Sequence, residues 1–193
     1  MKPIIKLVPP IVAAFILLTS ALSSGTTLLA MDLESLTQSS DEICTGRVID
    51  RVSFLKEGRI YTLNRVRVES SIKGKQLKGA IIEVVTAGGH SELFSQKVFG
   101  AAELQEDASY LLFLEKRGAP DVVHPVGMSQ GALPIKVEPN TKALSVHPPR
   151  AVPRLLSRDP VDGRFRPATP WLTKTRQLDE VVTEIRSFIG GIR

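Results

Sequence analysis

The sequence predicts a mainly β domain with a short helix near its start and an amphipathic helix at its end, and three observations lead to this prediction. Residues 43–54 and 60–72 alternate between apolar and polar side chains, as the two strands of a long hairpin do. The run YLLFLE at residues 110–115 is almost wholly apolar, which indicates a central strand covered on both faces. Apolar side chains in residues 178–189 recur at helical spacing before the stop signal Gly190-Gly191.

The alternation also predicts which hairpin side chains face the core. In the first strand these are Cys44, Gly46, Val48, Val52 and Phe54, and in the second they are Val66, Val68 and Ile72. Shorter elements complete the prediction: a helix at residues 31–40, strands at 80–86, 97–99, 122–126 and 132–137, an irregular loop from Gly88 to Gln96 and a tight turn from Gly127 to Gly131.

The first thirty residues have the pattern of a secretory signal peptide. Lys2 and Lys6 form a positive start, residues 7–22 are almost wholly apolar, and small residues follow. We therefore expect export to the periplasm or out of the cell, with cleavage between Ser23 and Ala30. The alternative is an uncleaved N-terminal anchor, although the apolar run is shorter than the roughly 20 residues that a membrane span needs.

The rest of the chain is expected to form one compact unit with an extended appendage. For residues 31–138, strands joined by turns suit a small closed or partly open barrel of the OB type, which removes sheet edges. Residues 139–177 contain more than half of the 13 prolines and several arginines, which predicts a surface-hugging extended segment or a flexible tail. Residues 178–193 carry the C-terminal helix, which we expect to pack on or near the barrel.

Several features occur in an order that is typical of a known family. They are DLESL at residues 32–36, Gly46-Arg47-Val48, Ile72-Lys73-Gly74, Gly88-Gly89, YLLFL at residues 110–114 and Gln130-Gly131. In these features the chain resembles a widespread family of exported, functionally uncharacterised bacterial proteins, over residues 32–137 and the final helix. It departs at residues 103–108 (ELQEDA), where that family has a Pro-x-Phe and a Gly-Glu. The resemblance implies an exported barrel similar to the OB fold or the netrin module, and it implies no activity.

One motif is typical of a catalytic serine. Residues 127–131 read Gly-x-Ser-x-Gly around Ser129, and Glu138 and His147 follow in the order of an α/β-hydrolase triad. A nucleophile elbow lies between a strand and a helix, whereas the residues after Gly131 predict a strand that contains Pro134. We therefore interpret the motif as a glycine turn and predict no catalytic residues.

Other chemistry receives little support from the sequence. His90, His124 and His147 lack the spacing of metal ligands, so a metal site would have to be assembled across the fold. Cys44 is the only cysteine and lies on a predicted apolar face, which favours a buried thiol over a reactive one. Neither Gly88-Gly89 nor any other motif predicts a cofactor. Aromatic residues make up only 5% of the chain, which argues against base stacking and so against a nucleic-acid partner.

The candidate binding residues are the arginines of the proline-rich segment. Residues 142–176 hold eight Lys or Arg but only two acidic residues, and Arg150, Arg154, Arg158, Arg164 and Arg166 lie among the prolines. These charges suit an anionic partner, such as an envelope polymer or lipid headgroups, or else a protein. The alternative is that the segment is a solvated, weakly ordered connector to the final helix. The sequence thus predicts an exported, non-enzymatic binding or structural module of the cell envelope. The alternative is an exported enzyme of unrecognised type, either a hydrolase using Ser129 or a protein with an assembled metal site.

Overall fold

The computed structural model describes residues 27–91, 94–118, 122–149 and 154–191, and these residues form a mainly β protein. In chain order the elements are β1 (Thr27–Leu29), α1 (Leu33–Ser39), β2 (Glu42–Lys56), β3 (Arg59–Lys73), β4 (Ile81–Ala87), β5 (Gly89–His90), β6 (Ser95–Gln96), β7 (Ser109–Lys116), β8 (Val122–Pro125), a 3-10 helix (Met128–Gly131), β9 (Ala132–Val137), β10 (Leu144–Val146), β11 (Arg154–Arg158), β12 (Phe165–Ala168), β13 (Arg176–Gln177) and α2 (Leu178–Gly190).

Five strands form a ring. β2 pairs with β3 and β3 with β4, both antiparallel, and β4 pairs with β8 in parallel. β8 then pairs with β7, and β7 returns to β2. This strand order, with its single parallel pair, is that of an OB-type barrel, and such closure protects strand edges. The predicted OB-like barrel is therefore confirmed.

The strand β7 separates two apolar clusters. Its side chains Tyr110, Leu112 and Leu114 face the barrel interior, where they pack with residues of β2, β3 and β4. Leu111 and Phe113 face the other way, into a second cluster. Both faces of β7 are thus covered, as the unbroken apolar run predicted.

Helices and added strands enclose the second cluster. β9, β10 and β13 extend the sheet beyond β7, and Leu36 of α1 and Ile185 of α2 are fully buried in the cluster. Asp32 caps α1 by accepting a hydrogen bond from the Ser35 backbone N–H at 2.7 Å, and this bond lowers the pKa of the Asp32 carboxyl. The predicted C-terminal helix therefore packs against the sheet that carries the barrel.

A β-bulge in β2 reverses the predicted facing of half the strand. Val48 pairs with Val66 and Asp50 with Arg65, so Ile49 is an extra residue in β2. Beyond it Arg51 and Ser53 occupy positions on the interior side, and Val52 and Phe54 turn outward. The prediction that Val52 and Phe54 face the core is wrong: their side chains are 54% and 36% exposed.

The loop after β4 also differs from its prediction. Gly89–His90 pairs with Ser95–Gln96 as a short antiparallel ladder, and residues 97–99 lie outside any strand. The predicted strand at 97–99 is wrong. The second strand of this ladder is Ser95–Gln96, because Gln96 pairs with Gly89, and the ladder ends before residue 97.

The proline-rich segment is extended in its described parts. β10 and β13 join the main sheet, whereas β11 and β12 form a separate three-stranded sheet with β1. β1 falls within the predicted signal segment at residues 1–30. Residues 1–26, which include the predicted positive start and the apolar run, lie outside the described residues.

Candidate functional site

Four of the five predicted arginines lie on or beside the three-stranded sheet. β11 is its central strand, paired in parallel with β1 and antiparallel with β12. Leu155 of β11 is buried, so Arg154, Leu156 and Arg158 point to the opposite side. In register, Leu29 lies beside Leu156 and Phe165 beside Arg158. We call this side the basic face, and its residues are Leu29, Arg154, Leu156, Arg158, Phe165 and Pro167.

The arginines differ in how far their charges are already satisfied. Arg154, Arg158 and Arg164 are exposed, and none of them has a carboxylate partner among the described residues. Arg166 forms ion pairs with Asp159 at 3.2 Å and Asp162 at 2.9 Å. Asp159 and Asp162 are the two acidic residues of residues 142–176, and both pair with Arg166. The charges of Arg154, Arg158 and Arg164 therefore have no acidic partner within this segment. Arg150 lies outside the described residues.

Exposed apolar side chains accompany these charges. Leu29 and Phe165 are each 59% exposed, and Val161 in the turn between β11 and β12 is 93% exposed. Single exposed apolar residues are common, but here three of them accompany unopposed cations on one small sheet and its turn, a combination that suits an interaction surface. The charge pattern of the segment predicts its arginines but not these three apolar residues. Val161 and Phe165, which stand between arginines, were the available signal.

The turn that carries Val161 is well bonded. The Asp159 N–H donates to the Arg164 carbonyl, and the Gly163 N–H donates to the Asp159 carbonyl, both at 2.9 Å. The Asp159 carboxylate accepts from the Val161 N–H at 2.8 Å. Gly163 has φ of +69°, a value that a residue with a side chain rarely adopts. The sequence from Asp159 to Arg164 therefore presents Val161 from a defined turn.

The Gly-x-Ser-x-Gly motif anchors the start of this sheet. The Gln130 side-chain amide accepts a hydrogen bond from the Met31 N–H and donates one to the Leu29 carbonyl, each at 3.0 Å. A Cβ at Gly131 would collide with the Val126 carbonyl oxygen. The motif thus has a role in holding the chain next to β1, and β9 rather than a helix follows it.

Ser129 lacks the surroundings of a nucleophile. Its residue is 4% exposed, and its Oγ has no hydrogen-bond partner in the described part of the chain. A catalytic serine has its hydroxyl at the substrate and within reach of a base. Neither condition is met at Ser129.

Glu138 and His147 do meet, but around Ser145. The Ser145 Oγ lies 2.7 Å from Glu138 Oε1 and 3.0 Å from His147 Nε2. Its single proton goes to the carboxylate, so His147 must donate from Nε2, and its Nδ1, 3.2 Å from Thr175 Oγ1, accepts. In a triad the histidine accepts the serine proton. This arrangement has the opposite polarity, and Ser145 is fully buried.

The other candidate groups are dispersed. The Cys44 thiol is 1% exposed, and burial, with a smaller contribution from Glu42, raises its pKa to about 12. Burial, together with Lys136, lowers the pKa of His147, and burial with Arg117 lowers that of His124. Among the described residues, no three His, Cys, Asp or Glu side chains are grouped so that they could hold a metal ion.

Comparisons of the sequence with protein-family models and with curated proteins show no family for this chain. A scan against protein-family models finds no match, and a search of curated proteins finds no similar sequence. Within the described ranges, no helix has the length and apolar character needed to cross a membrane.

Proposed function

We propose that the protein is an exported, non-catalytic module that binds the anionic surface of a membrane through the basic face and the adjoining turn. The observation that carries this proposal is the combination of unopposed Arg154, Arg158 and Arg164 with exposed Leu29, Val161 and Phe165. The positive start and apolar run at residues 1–22 support export. A cut before Thr27 would leave β1, and with it the basic face, intact.

The apolar residues favour a membrane over a soluble anionic polymer. Basic residues near an anionic bilayer gain roughly 1 kcal/mol each, whereas exposed Phe and Val gain only where they can enter an apolar layer. A polymer would use the arginines and leave Val161 and Phe165 in water. The presence of both residue types on the basic face and its adjoining turn therefore fits lipid headgroups above acyl chains.

The experiment is co-sedimentation of the purified chain with vesicles of phosphatidylcholine alone or with added phosphatidylglycerol. Changing Arg154, Arg158 and Arg164 together to Gln should weaken binding to the anionic vesicles about 100-fold, because three charges at roughly 1 kcal/mol each are lost. A second variant, Val161→Ser with Phe165→Ser, should also weaken binding to the anionic vesicles. Because it removes apolar contacts and no charge, this loss should be seen at every salt concentration at which the wild type binds. Wild-type binding should fall steeply between low and physiological salt.

A matched control removes three exposed charges elsewhere. Lys56, Arg59 and Arg67 lie at the β2–β3 turn and on β3, and none has an ion-pair partner among the described residues. Their joint change to Gln should leave binding within about twofold of wild type. Equal loss in both triple variants would contradict a localised face. An effect of the arginines without any effect of Val161 and Phe165 would indicate an anionic polymer instead.

A further inference from the structure

One end of the barrel interior is polar. Thr62, Asn64 and Thr86 have buried side chains on β3 and β4, and the β2 bulge brings Arg51 alongside Asn64. A buried amide in the middle of a strand is costly unless all its polar atoms are bonded. Asn64 therefore requires a reason for its place, and its hydrogen bonds supply one.

The bonds of Asn64 fix how its amide is oriented. Its Nδ2 lies 2.9 Å from the Val84 carbonyl oxygen and 3.1 Å from that of Thr62, with Thr86 Oγ1 at 3.2 Å. Carbonyl oxygens accept only, so the NH₂ group must face them and Oδ1 must face the other way. There Oδ1 accepts a hydrogen bond from Arg51 Nε at 3.3 Å.

This bond positions a free guanidinium. With Nε on Asn64, the two terminal nitrogens of Arg51 have no partner in the described part of the chain, and the side chain is exposed. A guanidinium held at Nε presents its terminal N–H groups as a planar fork that matches the two oxygens of a carboxylate or phosphate. The buried amide of Asn64 thus acts as a positioning group for an anion-binding arginine.

The fork lines a cleft of about 460 Å³ at this end of the barrel, and the other lining residues are mostly polar. Ile60 N–H donates to Gln96 Oε1 at 2.7 Å, which leaves the Gln96 NH₂ group free to donate. Gln105 also lines the cleft, and its side-chain amide has no partner within the described residues. Glu103 and Lys97 also line the cleft, and they are paired with each other at 3.5 Å. Clefts of this size hold small molecules.

The double glycine forms a wall of the same cleft. Thr62 Oγ1 donates to the Gly88 carbonyl at 2.7 Å, and Gly88 has φ of +90°. A Cβ at Gly89 would collide with Ser53 Oγ and Thr62 Oγ1. Glycine is therefore required for the loop backbone to cross so close to the strand hydroxyls, and any larger residue would displace this wall.

We propose that this cleft binds a sugar or polyol that carries a carboxylate or phosphate group. The anionic group sits on the Arg51 fork, and the ligand hydroxyls bond to Gln96, Gln105 and Thr86. The assignment follows from the donors: one fixed cation specifies an oxyanion, and neutral amides and a hydroxyl suit the alcohol groups of a polyol. This site is separate from the basic face and does not depend on membrane binding.

The experiment is titration of the chain, followed by amide resonances in NMR, with glucuronate, glucose 6-phosphate, glucose, acetate and inorganic phosphate. Glucuronate or glucose 6-phosphate should bind and shift resonances around Arg51, Thr86 and Gln96. Glucose, acetate and phosphate should bind about tenfold more weakly or not at all, since each lacks half of the contacts. The preferred sugar distinguishes a carboxylate ligand from a phosphate ligand.

Two variants at Arg51 and one control complete the test. Arg51→Gln and Arg51→Lys should each weaken binding about tenfold or more, because Lys keeps the charge but not the fork. Arg67→Gln removes an exposed charge on β3 away from the cleft lining and should leave the affinity unchanged. No binding by either anionic sugar, or equal binding by wild type and Arg51→Gln, would overturn the proposal.

Discussion

The buried Ser129 hydroxyl separates the structural interpretation of the Gly-x-Ser-x-Gly motif from the catalytic one, because each predicts a different effect of removing it. Its buried Oγ has no partner among the described residues, so its desolvation is uncompensated. We predict that Ser129→Ala raises the free energy of unfolding by about 1 kcal/mol, measured by urea denaturation with Trp171 fluorescence.

The matched control is Ser145→Ala, which removes a fully bonded buried hydroxyl. That change should lower the free energy of unfolding by about 1–2 kcal/mol, because Glu138 and His147 each lose a partner. A clear loss of stability in Ser129→Ala would mean that its hydroxyl is bonded and would contradict this assignment.

The alternation in β2 predicted buried residues correctly before the bulge at Ile49 and wrongly after it. Cys44 was expected to be buried, and it is, since it shares the inward face of β2 with Gly46 and Val48. The meeting of Glu138, Ser145 and His147 was not predicted. It depends on which residues of β9 and β10 pair, and on Thr175 approaching from outside both strands. No local pattern contains that register.

At the scale of elements, the long hairpin, the central strand and both helices were predictable, and the bulge at Ile49 was not. Alternation along a strand predicts one buried face for the whole strand. The extra residue at Ile49 moves every later side chain of β2 to the opposite face, and the composition of the strand gives no sign of this change. That exchange exposed Val52 and Phe54. It also placed Arg51 next to Asn64. The bulge that made the predicted facing wrong is therefore also the feature that positions the candidate anion site.

The β9–β10 hairpin should respond to pH through His147. Burial lowers the pKa of His147 below its ordinary value of 6.5, so the unfolded chain binds a proton more readily than the folded one. The free energy of unfolding should therefore fall as pH decreases below about 6.5, until the lower folded pKa is passed. We predict that His147→Gln reduces this fall, measured by urea denaturation at neutral pH and near pH 5.

His124 offers an independent check on that result. Its pKa is also lowered, first by burial and then by Arg117, so His124→Gln should reduce the acid sensitivity in the same direction. His124 lies on β8 and His147 directly follows β10, so their effects should add. Unchanged acid sensitivity in the double variant would assign it to carboxylates and contradict the role given to His147.

The complete fold presents two separate candidate binding surfaces. The three-stranded sheet carries the basic face. The Gln130 side chain, on the 3-10 helix, holds the first strand of this sheet in place through its bonds to Leu29 and Met31. The cleft beside Arg51 lies at an end of the barrel. The sequence predicted the barrel and the arginines, but not the cleft, which needs residues from β2, β3 and β4 together with residues 88–90, 95–98 and 102–105.

A fluorescent label in the turn of the basic face reports directly whether that turn enters an anionic membrane. In a Val161→Cys variant the new thiol is exposed, whereas Cys44 is buried with a pKa of about 12 and should not react. An environment-sensitive dye at residue 161 should shift to shorter wavelength on addition of anionic vesicles, and raised salt should reverse the shift. The same dye on a Leu77→Cys variant, a position that is 77% exposed in the loop between β3 and β4, should not respond. No shift at residue 161, or an equal shift at residue 77, would contradict membrane binding through the basic face.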